Sequence, residues 1–256
     1  MSNAKVNKQQ ERRDAAREQA RKLREAQQRR EKRNRVLVIA GVVVFIAIVA
    51  AALFAIINSR NADPLEGVDS QPAGAIESGA IQLGADGVGS VSEGAPVVDV
   101  YLDYLCTHCW TFEDVNAGVL EELAANGEAT VNYHPIAYIS GSDFNVRGAS
   151  ALAEVATQSP EQFGEFNAQL FSAQGEGGAT PLSNEQIADA AREVGVPEDV
   201  IETFDDVRYS DWVQGATEQA RRDEIGGTPT VLIDGEPFTG WQQPGALAQA
   251  VTDAGA

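Results

Sequence analysis

Val36 to Ile57 is an unbroken run of 22 residues that carries no charge and, apart from Gly41, only apolar side chains. A helix needs about 20 such residues to cross ~30 Å of hydrocarbon, so the run reads as a transmembrane helix that splits the chain between two solvents. The competing reading is a cleavable signal peptide. Such a peptide has an apolar core of about 7 to 15 residues, whereas this run is longer and follows 35 residues of charged chain. The small residues Ala50, Ala51 and Ala52 would put any cleavage inside the apolar run itself.

The charges on either side set a direction. Residues 1–35 hold 13 Lys or Arg against 5 Asp or Glu; residues 61–256 hold 5 Arg, no Lys and 33 acids, so the net charge of -19 conceals two opposite halves. Cations beside a span stay in the cytoplasm, which leaves the arm 1–35 inside, the span at 36–57, and the acidic remainder outside the cell membrane. Within the arm, Glu18 stands four before Lys22, Glu25 four before Arg29, and Glu31 four before Arg35. That spacing suits an exposed charged helix. Interleaved acids and missing aromatics favour a juxtamembrane helix touching anionic headgroups over a nucleic-acid-binding arm, and no nucleic-acid partner is expected.

From 58 to 79 the chain is rich in Asp, Gly, Ser, Pro and Ala, a composition too poor in large apolar groups to fold alone, and is expected to be a flexible linker. Residues 80–256 have the size of one domain. Val97 to Leu105 (VVDVYLDYL) is β-branched and aromatic, as a buried strand requires. Phe112, Val115, Val119, Leu120 and Leu123 then recur at three- and four-residue spacing up to Asn126-Gly127, which predicts a helix. Ala129 to Ile136 reads as a second strand. A long region of about 143–224 breaks at Pro160, Gly175 to Gly178, Gly195 and Pro197, giving helices near 143–158, 160–173, 183–194, 197–205 and 209–224. Thr230 to Ile233 and Glu236 to Thr239 flank Asp234-Gly235, a favoured hairpin turn, and Gly245 to Ala254 closes the chain as a helix. The expected class is α/β: strand, helix, strand, helical insertion, hairpin, helix.

The chain has two cysteines, Cys106 and Cys109, in a C-x-x-C pair where a strand passes into a helix. As a structural staple the pair is poorly placed, because closing so short a loop yields roughly 2 kcal/mol against about 3 for fifteen residues. A zinc site wants four ligands, and beyond the pair the chain offers His108, inside the same tetrapeptide, and the distant His134; no metal is expected. Redox catalysis fits best. The N-terminus of a helix favours a thiolate at Cys106, and Cys109, one turn on, can attack a mixed disulfide to release a substrate. His108 between them can give the thiolate a hydrogen bond or a charge. Stabilising the reduced form makes the disulfide the stronger oxidant. This chemistry calls for no cofactor.

Tyr101-Leu102-Asp103-Tyr104-Leu105 followed by Cys106-Thr107-His108-Cys109-Trp110 resembles the exported DsbA-like thiol-disulfide oxidoreductases, whose fold is a thioredoxin core with a helical insertion. The likeness covers roughly residues 80–256. Gly226-Gly227-Thr228-Pro229-Thr230 extends it, standing where the family carries a cis-proline loop that faces the cysteines. The resemblance implies that Cys106 is the exposed nucleophile, Cys109 the buried resolving thiol, His108 the tuner of the thiolate, and Thr228-Pro229 the backbone that pairs with the substrate chain. One departure is plain: members of the family place a buried acid six positions before the first cysteine, and here that position is Val100. Asp103 is the nearer acid, either handling protons for Cys109 or bonding backbone at the strand end. The partners implied are unfolded or reduced exported proteins, and a membrane recycling protein of the DsbB or vitamin-K-epoxide-reductase-like kind. An anchored reductase, as in cytochrome maturation, an isomerase, and a non-catalytic adaptor share the same motifs.

Overall fold

The computed structural model describes residues 3–61, 63–178 and 180–255, and the chain divides after residue 62 into two units. The first is one helix, α1 (Asn3–Asn61), in which the basic arm and the apolar run are continuous. Its stretch Arg21–Ala55 contains a window of mean hydropathy 3.2 that buries nothing within the chain, and is long and apolar enough to cross a membrane. The Glu18–Lys22 pair expected from spacing is present at 3.0 Å.

The second unit is built on one sheet. Its elements are β1 (Ile81–Gly84), β2 (Gly87–Val88), β3 (Val97–Leu102), α2 (Thr107–Ala125), β4 (Thr130–Pro135), α3 (Phe144–Gln158), α4 (Phe163–Ser172), α5 (Asn184–Glu193), α6 (Glu198–Ile201), α7 (Ser210–Arg222), β5 (Thr230–Ile233), β6 (Glu236–Pro237) and α8 (Ala246–Ala254). The six strands run in the order β2-β1-β4-β3-β5-β6. β3 and β4 are parallel and joined through α2; the other neighbours are antiparallel. Helices α3 to α7 form the insertion between β4 and β5. Class, core and insertion match the expectation, and the chain has a thioredoxin-like α/β architecture.

Side chains alternate across a strand, and the two faces of this sheet differ in kind. Val98, Val100 and Leu102 of β3, Val131 and Tyr133 of β4, and Val231 and Ile233 of β5 join the main core with Phe112 and Leu120 of α2 and Leu247 of α8. Burying each such side chain contributes roughly 1.5–3 kcal/mol. The alternate positions carry a polar ladder. Gln82 donates to Asn132 at 3.2 Å, Asn132 donates to Asp99 at 3.0 Å, and His134 Nε2 pairs with Asp99 at 3.0 Å. Tyr101 stacks on the His134 ring at 3.9 Å and packs with Ala220 of α7 and Ile136. Burial pushes the Asp99 carboxyl up, but the bonds from His134 and Asn132 outweigh it and hold the group below its ordinary value. His134 is thus a structural residue of the sheet.

Three expectations differ from the structure. The strand expected at 97–105 ends at Leu102, because Asp103 turns the chain by accepting a bond from Leu105 N at 2.8 Å while its carbonyl accepts from Cys106 N at 2.9 Å. The β1–β2 hairpin, with Leu83 opposite Val88 and Gly84 opposite Gly87, was not anticipated; its two-residue β2 is too short for a pattern to show. The flexible linker expected at 58–79 is, from residue 63, a strap packed on the second unit. Leu65 is 6 % exposed, lying in a notch of α7 where a Cβ on Gly215 would come within 2.7 Å of its Cδ2. Ala75 bridges to Ile81, and Ala73 N donates to Thr157 Oγ1 at 3.0 Å.

Candidate active site

Strand register places the site. β3 pairs antiparallel with β5, with Tyr101 opposite Thr230. The residue before β5, Pro229, therefore lies level with Leu102 at the C-terminal end of β3, where the chain continues through Asp103 to the cysteines. The Thr228–Pro229 peptide is cis, and the Cys106 thiol donates to the Thr228 carbonyl at 3.2 Å. Residues 122 apart in sequence thus meet at the edge of one sheet. Thr230 Oγ1 donates to Gly227 O at 2.7 Å and steadies the loop.

Cys106 is the N-cap of α2, and Cys109 ends the first turn. Both are free thiols and both are buried, Cys106 included, where an exposed nucleophile was expected, and their surroundings drive their acidities apart. The neighbouring Cys109 thiol most strongly favours the Cys106 thiolate; burial opposes it; the Thr228 side chain and the backbone N–H groups of Cys109 and His108 add to it. The balance brings Cys106 down to about 6, so it is mainly thiolate at neutral pH. Burial pushes the Cys109 thiol well above its ordinary value, and the Cys106 thiolate beside it pushes further. A helix N-terminus with a low thiol in front and a high thiol behind can open a mixed disulfide at one sulfur and close it at the other.

The remaining site residues are placed as follows. His108 is exposed; its backbone N–H favours the Cys106 thiolate, while its ring makes no hydrogen bond among the described residues. Asp103 is fully buried and its carboxylate is occupied. Oδ1 accepts from Leu105 N, Oδ2 accepts from Tyr138 N at 2.7 Å and Ile139 N at 2.8 Å, and the Asn145 amide donates to both oxygens. Burial raises this carboxyl, and the bonds offset only part of the rise. Tyr138 in turn donates its hydroxyl to Ile225 O at 3.0 Å, which links the acid that shapes the cysteine turn to the loop carrying Thr228 and Pro229. Sequence reasoning saw the acid but missed Asn145 and Tyr138, since nothing in their local pattern marks partners 42 and 35 residues away.

A thioredoxin family profile matches residues 90–253. The chain belongs to the thioredoxin family. Within the family, relatives point to one branch. The thiol:disulfide interchange protein DsbA of Pseudomonas syringae pv. tomato is 26% identical over 199 residues, covering 77% of this chain and 84% of that protein. Among solved structures, the thiol-disulfide oxidoreductase MdbA of Actinomyces oris superposes with a TM-score of 0.64 at 26% identity, over 76% of this chain and 97% of that one. Oxidised DsbA of Mycobacterium tuberculosis gives a TM-score of 0.57 at 26% identity, over 69% and 93%. This thioredoxin-family chain is a DsbA-like homologue, and its enzyme class is that of the thiol-disulfide oxidoreductases.

Proposed function

We propose that the chain is an anchored disulfide donor: α1 holds it in the cell membrane with the N-terminus in the cytoplasm, and the second unit oxidises exported proteins outside. The observation that carries the reading is the opposed pair of thiols, Cys106 at about 6 and Cys109 far above it. A substrate thiolate attacks Cys106 Sγ of the oxidised pair, the Cys106–Cys109 bond breaks, and Cys109 leaves to take a proton. A second substrate thiolate then attacks its partner sulfur in the mixed disulfide and expels Cys106 as a thiolate. Two electrons enter the pair and one disulfide leaves with the substrate. A low thiol pKa makes Cys106 the better leaving group.

In this reading Thr228 and Pro229 bind the substrate backbone beside the sulfur, and His108 tunes the thiolate through its N–H and its exposed ring. Asp103 positions the cysteine turn and the proline loop, its carboxylate being occupied. The basic arm and the acidic exported unit support the orientation by their charge asymmetry. Recycling requires a membrane quinone-linked partner of the DsbB or vitamin-K-epoxide-reductase-like kind. A reductase is the second reading, favoured by the fact that about 6 lies nearer the thiol of thioredoxin, about 7, than that of a strong oxidant, about 3.5.

The test is the reduction potential of the Cys106–Cys109 pair in the full chain, equilibrated with glutathione in detergent. A value near about -120 mV establishes a disulfide donor, while one near about -270 mV transfers the assignment to a reductase.

A further inference from the structure

A cavity of about 390 Å³ opens between α2 and α4, one helical turn past the cysteines. Its walls are Trp110, the residue after Cys109, and Phe171, and its polar lining includes three carboxylates, Glu113, Asp114 and Glu176. Asp114 and Glu176 are exposed, whereas Glu113 is 5 % exposed. Asn167 donates to Glu113 Oε1 at 2.9 Å and itself accepts from the Tyr104 hydroxyl at 2.8 Å. The second oxygen, Glu113 Oε2, is buried with no hydrogen-bond partner among the described residues. Leaving a buried polar atom unmade costs on the order of 1–3 kcal/mol, and a donor entering the cavity from outside would remove that cost once the carboxyl is ionised.

Resting on the oxidoreductase reading above, we infer that this cavity is a subsite for an arginine side chain of the substrate polypeptide, its guanidinium bonded to Glu113 Oε2 and flanked by Trp110 and Phe171. The shape and chemistry select the ligand. A planar guanidinium stacks on aromatic faces and offers several donors in a fixed fork. A metal ion is a poor candidate, since among the described residues no group of three or more His, Cys, Asp or Glu could hold one. Among the described residues no Arg or Lys lines the cavity, so the cation comes from outside. Glu113 lies seven residues beyond Cys106 on α2, about 10 Å along the axis, which an extended chain spans in about three residues.

Occupancy has a pH signature. Burial, and next the charge of Glu121, raise the Glu113 carboxyl to about 8, with the Asn167 bond offsetting part. The groups facing it are Glu121 on its own helix, Tyr133 on β4 with its hydroxyl on Glu121, Tyr104 after β3, and Asp114 and Glu176 at the mouth. An entering guanidinium must displace the Glu113 proton, so affinity for arginine rises as pH climbs towards about 8 and levels off above it.

Two dithiol peptides identical except for arginine or its neutral isostere citrulline, three residues from a cysteine, test this with the full-length protein in detergent. The arginine peptide is expected to be oxidised with a kcat/KM about tenfold higher, the scale of one charge-assisted hydrogen bond, with the advantage growing as pH rises from 6 towards about 8 and flattening above it. Glu113→Gln should erase that advantage while leaving the reduction potential where it was; Glu176→Gln, a surface change, should reduce it in a protein whose folding is not at issue. Calorimetry of the same peptides with serine for cysteine, titrated into the Cys106→Ser variant, reads binding without turnover. Equal rates and equal affinities for the two peptides, or an advantage untouched by Glu113→Gln, would overturn the subsite. Preferential binding of arginine without oxidation of either peptide upholds the subsite and removes the disulfide-donor reading.

Discussion

Cys106 and Cys109 stand at the two ends of one helical turn, and both are largely hidden from solvent, at 6 % and 0 % exposed. At the front, Cys106 meets the Cys109 thiol, the Thr228 side chain and the backbone N–H groups of Cys109 and His108, all of which favour a negative charge. At the back, burial of Cys109 and the Cys106 thiolate beside it outweigh the bonds from Asp103 and Thr228 that would favour one. Burial alone does not decide the fate of a thiol; what lines the burial does. The difference comes chiefly from the pair itself, the Cys109 thiol bonding the Cys106 thiolate while burial keeps Cys109 protonated; the loop carrying Thr228, brought in by the pairing of β5 with β3, adds to it.

The largest effect expected is on turnover. Cys106→Ser should abolish it and trap substrate on neither thiol, whereas Cys109→Ser, offered a disulfide-bonded substrate, should open that disulfide with Cys106, release one substrate thiolate and hold the chain as a mixed disulfide that no second thiol resolves; non-reducing gels with mass spectrometry distinguish them. A Cys106→Ser variant that still oxidises substrates would break the comparison outright. Alkylation by iodoacetamide at pH 7 should follow, with Cys106 modified at least about a hundredfold faster than Cys109, as expected for a thiolate against a buried thiol. Its rate should rise through about pH 6 and then flatten, since only the deprotonated fraction reacts.

Next comes stability. Asp103→Ala leaves the N–H groups of Leu105, Tyr138 and Ile139 without an acceptor. At about 1–3 kcal/mol for a buried donor left unmade, with the Leu105 bond buried and those of Tyr138 and Ile139 half-buried, denaturant unfolding should show a loss of about 2 kcal/mol or more. A loss below 1 kcal/mol would mean that water replaces the carboxylate. The effect that depends on pH belongs to Glu113, whose folded pKa is raised to about 8. The folded state then binds more protons than the unfolded state between the ordinary carboxylate range and about 8, so this group's contribution to stability falls as pH rises through that window. Glu113→Gln removes that slope. Its melting temperature should gain on the wild type from pH 5 to pH 8, and a constant difference would refute the assignment.

Long, strongly patterned elements were legible in the sequence. The helix of α2 followed from Phe112, Leu120 and Leu123, the breaks at Pro160 and Gly195 divided the insertion, and Asp234-Gly235 marked the β5–β6 turn. Cys106, Cys109, Thr228 and Pro229 were legible as a constellation because each has a recognisable local setting, and the structure brings all four together. What escaped depends on contacts between distant residues. The polarity of residues 63–79 suggested a chain without a place to bury, yet one leucine and a glycine notch on α7 supply it. Glu113 looked like another acid on an amphipathic helix, and its burial comes from α4, more than 50 residues on.

The strap has a practical consequence for anyone separating the exported unit from its anchor. A cut guided by composition, at about residue 80, would delete Leu65 and empty the notch at Gly215, remove the Ala75 bridge to Ile81, and leave the Thr157 hydroxyl without the Ala73 N–H. A cut immediately before Asp63 keeps all three contacts. Seventeen residues that resemble a spacer are therefore the first structural segment of the domain, and its true beginning lies within a few residues of the end of α1.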